Sequence, residues 1–532
     1  MKVDVAASAG EAHPGQRPTG ARAERVESRH PTVWIGTLAA TLAIATGLVL
    51  RFVAPADLWL DEALTVNIAK LPLDQLRAAL ERDGAPPLFY VLLHGWIAVF
   101  GAGDTAVRAL AGVIGVIAVG LAFVAGSRFG RTTTERRWLG LTAAVVVATS
   151  PYAVRYSSEA RMYSLVVALV LAAIILVADL WDRPSRFRIG GLAVVSAGLL
   201  YSQYWSLFLA ATVVVVLVAV GLRGDTATRA AVGRVLVGIA MGGLLFIPWI
   251  PTLRLQLAHT GTPWDAPAEL VGSTWHSVVA FGGGRNPAGW VLTVLLGAAA
   301  VIAVVRSSRA VALTARALAV IGGGTLGLAV LVSVVAGNGV QDRYASVVFP
   351  FAALVGALGV VAIGDLRVRV AFLAVIVAVG IVGGVRAARE VRTASGAIAG
   401  ALVPRLAPGD VVGYCPDQLG PSTARLVDRD LGTRGAAIRQ VTFPNSTAPD
   451  FVDWYDYADR NHAGDPARFA RSLDRTAGAG SVWLVWSPGY RTLGTKCEAI
   501  VNNLARDGRQ SERVTGAAGP DGERVELRRF AR

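Results

Sequence analysis

WIGTLAATLAIATGLVLRFV, residues 34–53, is an apolar run of 20 residues. As a helix it is long enough to cross about 30 Å of hydrocarbon. It follows a polar, basic, Gly- and Pro-spotted stretch over 1–30 that reads as a disordered tail. The run lies deeper and extends further than a signal peptide's apolar core, and no small-residue cleavage site follows it. It therefore reads as an uncleaved first membrane helix. Arg17, Arg22, Arg25 and Arg29 in the tail would hold the N-terminus in the cytoplasm.

The composition agrees with that reading. Of 532 residues, 54% are apolar and 17% charged, whereas soluble domains carry roughly a quarter charged residues. The mean hydropathy is +0.52. An ordinary soluble protein is excluded. The net charge of +14 would suggest a nucleic-acid partner in a soluble chain; here the charges fall between apolar runs, and no nucleic-acid partner is expected. Nearly all the basic charge is arginine, since lysine occurs only at 2, 70 and 496. With abundant Ala, Val and Gly, this bias suggests a GC-rich bacterial genome.

Further spans are expected at roughly 104–127, 138–152, 160–181, 188–204, 206–222, 229–251, 288–305, 316–336, 344–364 and 368–386. Arg128, Arg131, Arg136 and Arg137, then Arg183, Arg186 and Arg188, then Arg223 and Arg229, Arg306 and Arg309, and Arg367 and Arg369 fall in loops of one side. The opposite loops carry Asp57, Asp61, Glu62, Glu159, Asp265 and Asp342. That asymmetry puts the arginine loops in the cytoplasm. Pro86–Phe100 is apolar but makes only about 22 Å of helix, and a full crossing there would invert the pattern downstream. It reads as a short re-entrant or interfacial helix at the outer face. The expected fold is a polytopic α-helical membrane protein of about eleven spans over 31–386, with a first outer loop at about 54–103.

Residues 387–532 change character and lie outside in this topology. Asp410–Tyr414, Ala437–Thr442, Ser481–Trp486 and Glu523–Leu527 read as strands, and Pro466–Thr476 and Lys496–Arg506 as helices. This is a small extracytoplasmic α/β domain. Cys415 and Cys497, the only cysteines, both fall in it. On an oxidising side a disulfide between them is expected, with two buried free thiols as the alternative.

Three polar groups at the outer membrane boundary require explanation. Asp57-Leu58-Trp59-Leu60-Asp61-Glu62 sets adjacent carboxylates against apolar neighbours, an environment in which a carboxylate can be tuned as a base; alternatively the acids start the next helix. Leu64, Ile68, Leu71, Leu76 and Leu80, with charges between them, suit an amphipathic helix or pair in the interface. In Ser158-Glu159-Ala160-Arg161-Met162-Tyr163, a helix starting near Ser158 would put Glu159 and Tyr163 on one face; the alternative is a cap with snorkelling side chains. Gln341-Asp342-Arg343-Tyr344 offers an arginine fork suited to phosphate, or an interfacial anchor. His94 on the short apolar helix reads first as a packed residue. His259, Trp264, Asp265, Trp275, His276 and Arg285 in the 252–287 loop could bind sugar or lipid, or belong to the aromatic belt. No metal-ligand spacing and no nucleotide-binding loop stands out.

Taken in order, Trp59-Leu60-Asp61-Glu62-Ala63, Ala85-Pro86-Pro87-Leu88-Phe89-Tyr90 with His94, Ser158 to Tyr163, and Arg343-Tyr344 resemble integral-membrane GT-C glycosyltransferases. That superfamily includes the protein O-mannosyltransferases and the lipid A aminoarabinose transferase. The resemblance covers about 34–386 and is strongest over 55–165. It departs at Gly84-Ala85, where many relatives carry a basic residue or histidine. It implies inverting transfer from a polyprenyl-phosphate sugar outside the bacterial cytoplasmic membrane, with mannose the expected sugar and arabinose or another pentose next. The acceptor would be a protein, lipoglycan or wall glycan. Asp61 would be the general base, and Glu62 would orient or assist it. Glu159 would place a sugar, with Arg161, Tyr163 and His94 among the binding residues. Arg343, with Tyr344, would hold the leaving phosphate. Outer-loop acids could bind a divalent cation, as in some relatives. Two other readings compete: a flippase or transporter of lipid-linked sugars, which would concentrate polar residues at the midplane, and a non-catalytic envelope-assembly scaffold.

Overall fold

The computed structural model describes residues 31–305, 308–518 and 524–532; the tail expected over 1–30 lies outside them. The molecule is a polytopic helical membrane protein carrying a C-terminal sheet domain. Seven of its described helices are long and apolar enough to cross a membrane: Asp104–Arg128, Tyr163–Asp182, Ser206–Arg223, Thr226–His259 (broken near Pro248), Pro287–Val305, Val311–Val335 and Leu366–Arg389. The other expected spans coincide with Pro31–Leu50, Thr133–Thr149, Arg186–Leu200 and Phe349–Ala362. Small residues let these helices pack closely, as is common where lipid gives no hydrophobic drive to association. A Cβ on Gly359 would lie 1.8 Å from the Ala299 carbonyl oxygen, and one on Gly47 would lie 2.1 Å from that of Ala148.

The arginine-rich loops share one end. Arg128 pairs with Asp179 at 2.7 Å, Arg188 approaches the same carboxylate at 3.7 Å, and Arg369 lies over the Trp138 ring. At the opposite end Arg108, in the second turn of Asp104–Arg128, donates to the carbonyls of Ala54, Ala56 and Asp57, just past the first helix. The chain therefore leaves and re-enters the bundle at the same end. The intervening Leu88–Phe100 helix makes no net crossing. Its inner face is anchored by His94 to the Ala69 carbonyl (2.8 Å) and by Trp96 to the Ala106 carbonyl (2.7 Å), while Val99 and Phe100 face outward. The amphipathic stretch before it forms two helices, Leu60–Ala69 and Leu73–Asp83, with Leu76 and Leu80 buried.

Two local expectations are corrected. No helix starts at Ser158. Pro151–Ser157 ends there, residues 158–162 form a non-helical turn, and the next helix begins at Tyr163. Glu159 and Tyr163 thus share no helical face. The 252–287 stretch holds the helices Ile250–His259 and Leu270–Phe281 rather than loop alone.

The C-terminal sheet has the order β2-β1-β3-β5-β4, from β1 Val411–Cys415, β2 Arg439–Thr442, β3 Val482–Trp486, β4 Gln510–Ala518 and β5 Arg524–Ala531. β1 runs parallel to β2 and β3, whereas β5 is antiparallel to β3 and β4. β1 and β3 are buried along their whole length because helices cover both faces, which is why they read as continuous apolar runs. Pro466–Ala477 and Lys496–Arg506 cover one face; Ser395–Leu402 and Gly420–Leu431 cover the other. Cys415 and Cys497 form a disulfide that ties β1 to the Lys496–Arg506 helix. β4 gave no strand signal in the sequence, since it is a largely exposed edge with polar residues on both faces.

Candidate active site

The site is built where the Leu60–Ala69 helix begins. Asp61 and Glu62 occupy its first turn, where the helix dipole favours carboxylates. They then point to different surroundings. Glu62 is buried and forms a two-pronged pair with Arg108: Nε donates to Oε1 at 2.7 Å and Nη2 to Oε2 at 2.5 Å. The Ala160 amide also donates to Oε1 at 2.9 Å, and the Trp59 amide to Oε2 at 3.4 Å. Glu62 therefore joins three segments and borders neither of the two cavities described below.

Asp61 retains 16% side-chain exposure and faces two guanidinium groups at ion-pair distance, Arg343 at 3.5 Å and Arg161 at 3.9 Å. Arg161 is held in place by donating to the Thr65 hydroxyl at 2.7 Å and the Tyr90 hydroxyl at 3.3 Å. Arg343 comes from the Asp342–Val347 turn. The Tyr152 hydroxyl pins that turn by donating to the Asp342 carbonyl, and the Gln203 amide by donating to the Tyr344 carbonyl. Its guanidinium lies 5.3 Å from the Trp59 ring centre and 5.6 Å from that of Tyr344.

Two cavities meet at this point. One, of about 250 Å³, is bordered by Asp61 and Glu159 and by the aromatic side chains of Trp59, Tyr156, Trp264 and Trp454. The other, of about 610 Å³, is bordered by Arg155, Arg285, Arg343 and Arg386 with His276; the carboxylates Asp265, Asp342 and Glu390 also border it, the last paired with Arg155. Arg155, Tyr156, Gln341 and Arg343 form the wall common to both. We call these the aromatic and the cationic cavity.

Glu159 borders the aromatic cavity and is buried. Arg155 lies 3.4 Å and Arg392 3.8 Å from its Oε1, but neither oxygen accepts a hydrogen bond among the described residues. Burial pushes its carboxyl above the usual range, and Arg392 and Arg155 pull it down. Arg392 is fixed by donating to the Ser158 carbonyl and hydroxyl.

Of the residues singled out in the sequence, Asp61, Glu159 and Arg343 border the aromatic cavity, and Arg161 stands behind Asp61. Three others stand apart. His94 is bonded through Nδ1 to the Ala69 carbonyl and borders neither cavity. Tyr344 packs on Trp205 and Tyr163 on Tyr156, and neither borders the two cavities. The arrangement does not suit a divalent cation, because guanidinium groups face Asp61 and Glu159 where further anionic ligands would be needed. Among the described residues no cluster of three His, Cys, Asp or Glu is suited to a metal.

Sequence reasoning missed Arg108, Arg392, Trp454 and Ser422. The first was detectable in principle: an arginine four residues into an apolar span needs an anionic partner. The other three come together only through long-range folding of the C-terminal part of the chain.

The sequence matches no known protein-family profile and no curated protein. Its fold is shared with solved membrane proteins. ArnT of Cupriavidus metallidurans, solved bound to undecaprenyl phosphate, is 13% identical over 94% of this chain and 98% of its own, with a TM-score of 0.55; its apo form gives 0.56. The oligosaccharyltransferase of Archaeoglobus fulgidus, solved with Zn and sulfate, is 11% identical over 92% of this chain and 72% of its own, with a TM-score of 0.50. The chain has the architecture of these two solved membrane proteins. At these identities the likeness speaks for architecture alone, and the chemistry must come from the side chains.

Proposed function

We propose that this protein is an inverting glycosyltransferase of a bacterial inner membrane, taking a sugar from a polyprenyl-phosphate donor at its extracytoplasmic face. The observation that carries this reading is Asp61 in the wall of the aromatic cavity, 3.5 Å from Arg343, which borders both cavities. Four arginines around the cationic cavity suit the phosphate of a donor whose tail stays among the helices. ArnT bound to undecaprenyl phosphate shares the fold and supports this choice of donor class.

In the reaction, an acceptor hydroxyl in the aromatic cavity attacks the anomeric carbon. Asp61 accepts its proton as the new C–O bond forms. The bond from the anomeric carbon to the phosphate oxygen breaks on the opposite face, and the electron pair leaves with polyprenyl phosphate. Arg343 stabilises that developing charge. Arg161 offsets the charge of Asp61 from behind, and Glu62 fixes the helix start that carries it. Mannose is the first donor sugar to test, with a pentose second.

The test compares wild type with Asp61→Asn in lipid, using radiolabelled polyprenyl-phosphate sugars and an envelope extract. Wild type should transfer label, and the variant should lose it by about 10²–10⁴-fold while staying folded. Sugar-lipid translocation in proteoliposomes without transfer from any donor would reject the enzyme in favour of a flippase.

A further inference from the structure

Resting on the glycosyltransferase reading, we infer that the acceptor is a saccharide, held in the aromatic cavity jointly by the membrane part and the C-terminal domain. The cavity wall takes three indoles from three distant segments: Trp59 before the Leu60–Ala69 helix, Trp264 between Ile250–His259 and Leu270–Phe281, and Trp454 of the C-terminal domain. The Trp264 and Trp454 ring centres lie 6.2 Å apart at 54°, so the two rings are not stacked face to face. The negative face of an aromatic ring attracts polarised C–H groups, and a sugar ring presents a row of them. Around the same cavity Trp59 Nε1, Ser422 Oγ and both oxygens of Glu159 are buried with no hydrogen bond among the described residues. Buried polar groups are rarely left so. This mixture of donor, hydroxyl and acceptor fits hydroxyl groups, each of which can both give and take a hydrogen bond.

The position separates this ligand from the donor. Of the arginines that suit the donor's phosphate, Arg285 and Arg386 border only the other cavity and Arg155 and Arg343 the shared wall, whereas Trp454 and Ser422 belong to the C-terminal domain and border only the aromatic one. The wall also carries Gln341, Gln418 and the guanidinium groups of Arg155, Arg343 and Arg392, so a peptide is the competing occupant against which the saccharide is tested. Trp454 is seated for this position by its neighbours: its amide donates to the Arg82 carbonyl, and Asp453 pairs with Arg82 at 2.6 Å.

The proposal is tested by calorimetry on the full chain in lipid nanodiscs. The probes are short manno-, arabino- and galacto-oligosaccharides, a Ser/Thr-containing peptide, and polyprenyl phosphate. At least one oligosaccharide should bind saturably, and Trp454→Ala should weaken it tenfold or more while polyprenyl phosphate binds as before. Ser422→Ala, which removes a hydroxyl with no partner, should weaken the same saccharide several-fold and keeps the test alive should the tryptophan variant misfold. Saturable binding of the peptide and of no saccharide would overturn the proposal, as would unchanged saccharide affinity in both variants. Transfer is measured in parallel. Saccharide binding without transfer from any donor would reject the enzyme reading alone; transfer to peptide alone would reject the acceptor assignment alone.

Discussion

Asp61 and Glu62 are adjacent in the chain and belong to two different kinds of charge cluster. Around Glu62 three of the four contacts are short, two guanidinium nitrogens at 2.5 and 2.7 Å and the Ala160 amide at 2.9 Å, with the Trp59 amide at 3.4 Å and the carboxylate shut from solvent. Around Asp61 the guanidinium groups stand at 3.5 and 3.9 Å, and the side chain stays partly open to a cavity. A saturated cluster fixes geometry. An open one leaves lone pairs and N–H groups for something that arrives later. The same contrast recurs at Arg343, whose Nε is buried without a partner among the described residues, and at Arg108, which spends three nitrogens on Glu62 and on backbone carbonyls.

The largest expected effect comes from breaking the saturated cluster. Glu62→Ala leaves Arg108 buried without its carboxylate, which costs about 3–5 kcal/mol. It also frees the 158–162 turn, because the Ala160 amide loses its acceptor. Thermal unfolding in detergent should show a clear loss of stability, with activity falling as the protein is lost. A Glu62→Ala protein as stable as wild type but inactive would show that Glu62 acts chemically and that the contrast with Asp61 is wrong.

How far the sequence foretold this contrast depends on the range over which each signal acts. The apolar runs and the arginine-bearing loops are local patterns, so the helices were legible. So were β1 and β3, whose unbroken apolar character follows from burial on both faces. The open cluster was legible as residue types, since Asp61, Glu159, Arg161 and Arg343 are charges at the ends of apolar helices. Their division of labour was not. Nothing local separates Asp61 from Glu62; the difference is made by Arg108, 46 residues downstream of Glu62. The 158–162 turn was misread as helix because Glu159 and Tyr163 have helical spacing, whereas the tertiary bonds of Arg392 to Ser158 and of Glu62 to Ala160 hold it open. The polar β4 edge carried no apolar pattern to read.

A smaller effect probes the open cluster. Arg343→Ala should cost less stability than Glu62→Ala, since among the described residues that guanidinium makes a long 3.4 Å bond to Gln341, a loose pairing with Asp61 and ring contacts with Trp59 and Tyr344, and no short hydrogen bond. It should lower kcat by about 10²–10³-fold, the size expected when one stabilising donor is taken from a developing anion. Arg343→Lys should recover part of that loss by restoring the charge without the planar fork. A variant losing stability instead of turnover would move Arg343 into the saturated class.

Asp417 supplies an intermediate case in the C-terminal domain, between the two clusters. It sits in the turn after β1, beside the wall of the aromatic cavity, and is buried with the Tyr457 hydroxyl donating to Oδ1 at 2.7 Å. Burial pushes its pKa up to about 6, while Tyr457 and Arg460 pull it down. The folded state therefore binds this proton more tightly than the unfolded chain, whose aspartate titrates near its ordinary value. The stabilisation it gives is fully present below about pH 4 and is lost as pH rises through 6, a change on the order of 3 kcal/mol if the whole shift is realised. Asp417→Asn should flatten that part of the stability profile, because the amide stays neutral at every pH and can still accept from Tyr457. The measurement is chemical unfolding of the C-terminal domain within the full chain, followed at several values between pH 4 and 7. A slope that survives in Asp417→Asn would assign the titration elsewhere and would class Asp417 with Glu62, a carboxylate whose charge is fully compensated in the folded protein.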